Sequence, residues 1–236
     1  MKYLLRQLSK TGMPSVFRLP IAISVSVAGI VAIALAMWRN TRSFAGGVPR
    51  ISLATSRAGF LPENNVFSKP QLTARHLVWL SLSLSVVAVD QLTKWLVIDA
   101  LTLYQRIPIL PVFDLVRLHN TGAAFSFLSE ASGWQNGLFT GVAFIVSVGI
   151  VWWLVMLPSE GRRVLGLGLA LVLGGAIGNV IDRLLYGYVI DFILFYYKEW
   201  SYPAFNIADS AITCGVILIL YDGFVLEKRR SGQSQH

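Results

Sequence analysis

Residues Val164 to Leu184 read VLGLGLALVLGGAIGNVIDRL, and everything from Val164 to Gly178 is apolar or glycine. About 20 such residues cross the ~30 Å hydrocarbon core of a bilayer. Only a helix can satisfy its own backbone there as a single segment. The stretch therefore reads as a transmembrane helix. Gly174 and Gly178 stand four apart, a small-xxx-small spacing that lets a neighbouring helix come close. The polar residues Asn179, Asp182 and Arg183 are confined to its far end.

Working outward, three more runs of this length lie in the body of the chain: about 77–97, 137–157 and 204–226. A further apolar run, about 19–38, lies near the N-terminus. No period of 20–50 residues repeats, and no run alternates as a barrel strand does. Composition agrees. Apolar residues are 55% of the 236, and charged residues only 14% where soluble domains carry ~25%. The net charge of +8 is not a nucleic-acid signature, because the basic residues sit between apolar runs. One Cys excludes a disulfide framework, and three scattered His argue against a zinc site. No metal or cofactor is expected.

Lys and Arg set the orientation. Arg39, Arg42, Arg50, Arg57, Lys69 and Arg75 precede the first of the four runs, Arg162 and Arg163 join the second to the third, and Lys228, Arg229 and Arg230 follow the last. The remaining two connections carry only Arg106, Arg117 and Lys198. The positive-inside rule puts both ends of the four-helix unit in the cytoplasm and those two connections outside. The expected organisation is an N-terminal extension, 1–75, with one apolar helix and a basic Gly/Pro/Ser-rich linker; a four-helix domain, 76–228; and a cytoplasmic tail, 229–236. A fifth crossing, or a signal peptide cut after Ser43-Phe44-Ala45, would each place basic residues outside. The extension is read as hairpin-like, interfacial or poorly ordered, with no chemistry assigned.

Ionisable groups inside a span are costly, so each is a functional hypothesis. Asp90 and Lys94 share a face of the first helix; Asn206 and Asp209 share one at the start of the fourth. Asp191 follows the turn at Gly187 in the apolar setting Val189-Ile190-Asp191-Phe192. Three helices thus bring polar groups to one depth near the outer surface, where scattered structural polar residues need not agree. Asp191 and Asp209 flank one outward connection, so their carboxyls can meet. Two close carboxylates in low dielectric share a proton, which is the chemistry of aspartic proteolysis. Arg183 and the amides of Asn179 and Asn206 are candidates to hold them. Arg106–His119, apolar and punctuated by Pro108 and Pro111, suggests short strands or a hairpin on the membrane surface, a platform for an extended peptide.

Plainer readings stand beside these. Asp90–Lys94 alone is a structural ion pair, Asp182-Arg183 an interfacial anchor, Asn206 a helix cap and Cys214 a packing residue. Ser126 and Ser210 lack a His–acid arrangement. Paired membrane acids also mark proton or ion pathways, and a polar cluster can merely glue a scaffold together. The absence of a repeat and the acids' position near one surface weigh against alternating access.

Four blocks resemble the signatures of the lipoprotein signal peptidase (signal peptidase II) family, in that family's order. They are Asp90-Gln91-Leu92-Thr93-Lys94; Asn120-Thr121-Gly122-Ala123-Ala124-Phe125; Gly174 through Arg183 running on to Gly187-Tyr188-Val189-Ile190-Asp191-Phe192; and Phe205-Asn206-Ile207-Ala208-Asp209. The resemblance covers roughly 77–226 with no departure inside the blocks. It implies an all-α membrane protein, a four-helix bundle with a small extracytoplasmic β-cradle, in the bacterial inner membrane. It implies an aspartic endopeptidase that removes signal peptides from prolipoproteins on the N-terminal side of a diacylglyceryl-modified Cys. Asp191 and Asp209 would be the catalytic dyad; Asn179, Asp182, Arg183 and Asn206 would line the site, with Asp90, Lys94 and Asn120 in support. The expected partners are lipidated prolipoproteins and membrane lipid, with the protein monomeric. Inhibition by the cyclic peptide globomycin is also implied. The departure is the N-terminal 75 residues, longer than the family usually carries, for which an early start codon is one reading.

Overall fold

A computed structural model describes residues 73–122, 134–158 and 161–233. The expected apolar helix at 19–38 and its linker lie outside these residues.

Among the described residues, four helices are long and apolar enough to cross a membrane. The first, α1, runs Ala74–Ala100, and α2 runs Trp134–Met156. The third, α3, spans Arg163–Tyr186 and α4 spans Ile207–Tyr221. A π-helical turn, Asp222–Leu226, extends α4 into α5, Glu227–Gln233. Between α1 and α2 lie β1, Arg106–Leu110, and β2, Phe113–Asn120. Between α3 and α4 lie β3, Val189–Tyr197, and the two-residue β4, Trp200–Ser201. The strands form one antiparallel sheet in the order β1-β2-β3-β4.

Helix α3 is the axis of the bundle: 67% of its apolar window is buried, against 17% for α1 and for α2 and 28% for the last span. Its glycines make this possible. A Cβ at Gly174 would lie 2.7 Å from the Ser83 carbonyl of α1, and one at Gly168 would lie 2.8 Å from the Gly215 carbonyl of α4. The Gly174/Gly178 row expected to meet a neighbour does so against α1; Gly168 and Gly175 form a second row against α4. With lipid as apolar as the side chains, close backbone packing of this sort is what holds helices together. Ser83 adds an interhelical bond, its Oγ donating to the Ala170 carbonyl at 2.9 Å.

At its C-terminus α3 stops on Gly187, whose left-handed backbone (φ 79°) ends the helix, while its N–H still donates to the Arg183 carbonyl. The chain then enters β3 directly. One face of β3 (Ile190, Phe192, Leu194) is buried, with Val97 of α1 packing against Ile190 and Phe192. The other face carries Asp191, Ile193 and Phe195, side by side with Leu118, Leu115 and Phe113 of β2.

Several sequence-based boundaries need correcting. The fourth helix begins at Ile207, not near Ala204, because Phe205 is hydrogen-bonded to Ile193 at the sheet edge and Asn206 caps the helix. The segment after Gly187 is a nine-residue strand, so the sheet exceeds the hairpin expected in 106–119. The last helix runs on to Gln233, into the stretch expected as the cytoplasmic tail. Ionic contacts fasten it there. Arg230 pairs with the buried Asp222 and donates to the Gly161 carbonyl, and Arg162 pairs with Glu227.

Candidate active site

The predicted polar residues converge where α1, α3, α4 and the sheet meet. Asp90, Lys94 and Asp182 are each at most 1% exposed. Lys94 Nζ lies 2.8 Å from Asp90 Oδ2, 2.9 Å from Asp182 Oδ2 and 3.1 Å from Asn179 Oδ1. A lone buried ion pair repays its desolvation poorly, but every oxygen of this group has a partner. Asp90 Oδ1 accepts from the Ala208 N–H at 2.8 Å, and Asp182 Oδ1 accepts from Gln91 Nε2 at 2.9 Å.

Asp191 and Asp209 come from different elements, the third residue of β3 and the first turn of α4. Asp191 is buried and Asp209 half-buried. They are joined through two amides. Asn206 Nδ2 donates to Asp191 Oδ1 at 2.8 Å and, at 3.3 Å, to Asn179 Oδ1. Asn179 Nδ2 in turn donates to Asp209 Oδ1 at 2.9 Å. The other oxygen of Asp191 accepts from Asn120 Nδ2 at 2.9 Å. Sheet register arranges this contact: Leu118 faces Asp191 and Asn120 faces Val189, so Asn120 is the diagonal neighbour of Asp191. Asn206 does cap α4, its Oδ1 accepting from the Asp209 N–H at 2.9 Å. The cap and site readings of this residue are both true of one side chain.

Burial, and then the charge of Asp209, push the Asp191 carboxyl well above the ordinary carboxylate range; the bond from Asn120, the charge of Lys94 and the bond from Asn206 pull the other way.

Arg183 is placed differently from the expectation that it grips the acids. Its Nη1 donates to the Asn179 carbonyl at 3.4 Å, and its guanidinium lies 5.9 Å from the centre of the Phe139 ring. Its charge reaches Asp209, Asp191 and Asp182 through space. Nearby, His119 stacks on Tyr188 at 3.7 Å, and burial followed by the charge of Arg117 lowers its basicity. Among the described residues, no three His, Cys, Asp or Glu side chains are grouped to hold a metal ion.

Sequence reasoning passed over Gln91, whose amide also donates to the Gly178 carbonyl at 3.1 Å. The available signal was its position three residues before Lys94 on an apolar helix, where a carboxamide needs partners. It also passed over the apolar track leading from Asp191 along Ile193 and Phe195. Phe195 lies 5.3 Å from Phe113 and 6.0 Å from Phe205, ring to ring.

Fold and site together define a multi-pass membrane protein with paired acids gathered at the sheet end of its bundle. The family model for Signal peptidase (SPase) II matches residues 82–225. A lipoprotein signal peptidase of Acinetobacter baylyi is 51% identical over 160 residues, 68% of this chain and 89% of the relative. One of Ectopseudomonas mendocina is 43% identical over 177 residues, 74% of this chain and all of the relative. A solved bacterial membrane enzyme, determined by the in meso method, superposes with a TM-score of 0.57 at 29% identity, covering 63% of this chain and 93% of its own. The chain belongs to the signal peptidase II family.

Proposed function

We propose that this protein is an aspartic endopeptidase that cleaves the signal peptide from diacylglyceryl-modified prolipoproteins, N-terminal to the lipidated Cys. Asp191 and Asp209 are its dyad. The observation that carries this reading is the pair of acids bridged by Asn206 and Asn179 at the end of a membrane-spanning bundle. A water held between the carboxyls gives a proton to the ionised one as its oxygen attacks the scissile carbonyl. The protonated partner polarises that carbonyl and later protonates the leaving amine. Half-burial leaves Asp209 open to the reacting groups. Asn120 and Asn206, each donating to Asp191, keep that carboxyl in plane.

The apolar track on the Asp191 face of the sheet (Ile193, Phe195, Leu115, Phe113) suits the extended segment around the cut. Basic residues at the opposite end of the bundle, Arg162, Arg163, Lys228, Arg229 and Arg230, orient the dyad toward the periplasmic side of the inner membrane. Globomycin, as an inhibitor of the family's activity, is expected to block cleavage.

The test is cleavage of a diacylglyceryl-modified precursor by Asp191→Asn and Asp209→Asn, each made alone in protein that inserts and folds. Loss of a positioned acid or base predicts a fall of about 10²–10⁴-fold for each. Normal cleavage by Asp209→Asn would remove the dyad from the mechanism.

A further inference from the structure

Two carboxyls that repel must be held together by something stiffer than their own rotamers. In this protein the tie reaches the backbone. Asp182 Oδ2 accepts from the Ile190 N–H at 3.1 Å, and Asp90 Oδ1 accepts from the Ala208 N–H at 2.8 Å. Ile190 is the residue immediately before Asp191, and Ala208 the residue immediately before Asp209. The two grips are therefore equivalent: one acid on the strand that carries Asp191, one on the helix that carries Asp209.

The grips are joined across α1. Lys94 binds both acids, and Gln91 Nε2 lies 2.9 Å from Asp182 Oδ1 and 3.3 Å from Asp90 Oδ2. Lys94 also decides the orientation of an amide. An ammonium has only donors, so it holds Asn179 by its oxygen, and the nitrogen is left to face Asp209.

We propose that Asp90, Gln91, Lys94 and Asp182 form a yoke that sets the separation of Asp191 and Asp209 through the Ile190 and Ala208 N–H groups, with Gln91 as a positioning residue of the reaction. This rests on the dyad reading above. Gln91 is the informative member because it is neutral. Removing its amide leaves Lys94 paired with both acids, so the buried charge is unchanged while the cross-tie is lost.

The experiment uses the full chain in lipid, with kcat and KM measured across pH on a diacylglyceryl-modified precursor peptide. Gln91→Met is expected to lower kcat by about 10–100-fold, the cost of sub-ångström to ångström misplacement, with KM held within about threefold. The kcat–pH profile should also shift, because the coupling of two acids depends on their separation. Gln91→Glu, nearly isosteric, covers the case in which Gln91→Met does not fold. The carboxyl it introduces would face Asp90, Asp182 and Lys94, with Arg183 close by. At neutral pH that carboxyl lacks the donor, and toward acid its protonated form donates to Asp182 in the amide's place. Activity relative to the parent should therefore recover as pH falls. A kcat and pH profile superimposing on the parent's, or a loss that follows only the amount of folded protein, overturns the yoke. Asp191→Asn, run alongside, separates the two ideas: normal cleavage there overturns the dyad itself.

Discussion

Gly175 of α3 lies beneath the first turn of α4, and replacing it with Ala tests how the bundle sets the proposed dyad. A Cβ there would stand 2.4 Å from the Ala208 carbonyl oxygen and 2.8 Å from Ile212 Cγ1. The nearer obstacle is backbone, so no rotamer change relieves it. Ordinary contact begins at 3.4 Å, which requires α4 to withdraw by about 1 Å. Asn179 is one turn along α3 from Gly175, and its bond to Asp209 is 2.9 Å long. The same displacement carries that bond to about 3.9 Å, beyond hydrogen-bonding reach. Ala in place of Gly gains up to about 1 kcal/mol of helix propensity, and overpacking costs about 1–3 kcal/mol. The net expectation is a destabilisation of about 0–2 kcal/mol, with a fall of about 10²-fold in cleavage if Asp191 and Asp209 are the dyad proposed above. Gly141 in α2 is the matched control, since a Cβ there meets nothing within 4 Å. Unfolding in detergent and precursor cleavage, measured on the same preparations, give both numbers. A Gly175→Ala protein indistinguishable from Gly141→Ala in both would refute the close-packing argument.

Stability should also depend on pH through Asp191. Its carboxyl is held above the ordinary carboxylate range, so the folded protein keeps a proton that the unfolded chain releases. That contribution is complete at pH below the unfolded value and is lost as pH rises through the raised one. Because the charge of Asp209 is the second cause of the shift, Asp209→Asn should flatten this decline, measured as unfolding midpoints from acid to neutral pH. In the sheet, Asp114 is 1% exposed and its ion pair is with Arg106. Arg106→Met should cost up to about 3 kcal/mol by stranding that carboxylate, and Asp114→Asn in the same background should restore much of it. Thermal unfolding of the single and double variants would check this.

Much of the architecture is legible in the chain because lipid imposes a one-dimensional rule. A span must be about 20 apolar residues of helix, so four spans and their loop charges can be read by eye. The same rule makes each buried polar residue conspicuous, which is why Asp90, Lys94, Asn179, Asp182, Asp191, Asn206 and Asp209 all stand out as candidates. The resemblance to signal peptidase II blocks adds that they fall in that family's blocks, in that family's order along the chain. Helix ends were less legible: α4 starts at Ile207 because Phe205 is claimed by Ile193, a partner twelve residues away in the chain.

What the sequence determined alone was membrane spanning, the depth at which the acids gather, and which residues could be chemical. Hydropathy and spacing depend on neighbours along the chain, so they need no fold. Only the tertiary structure decided who holds whom. It assigned the two amides to Asp191 and Asp209, withheld Arg183 from direct contact with them, and brought Gln91 into the buried ion group. Hydrogen bonds of about 3 Å depend on helix rotation, strand register and the space that Gly175 and Gly178 leave open, and those are set by all the packed elements at once.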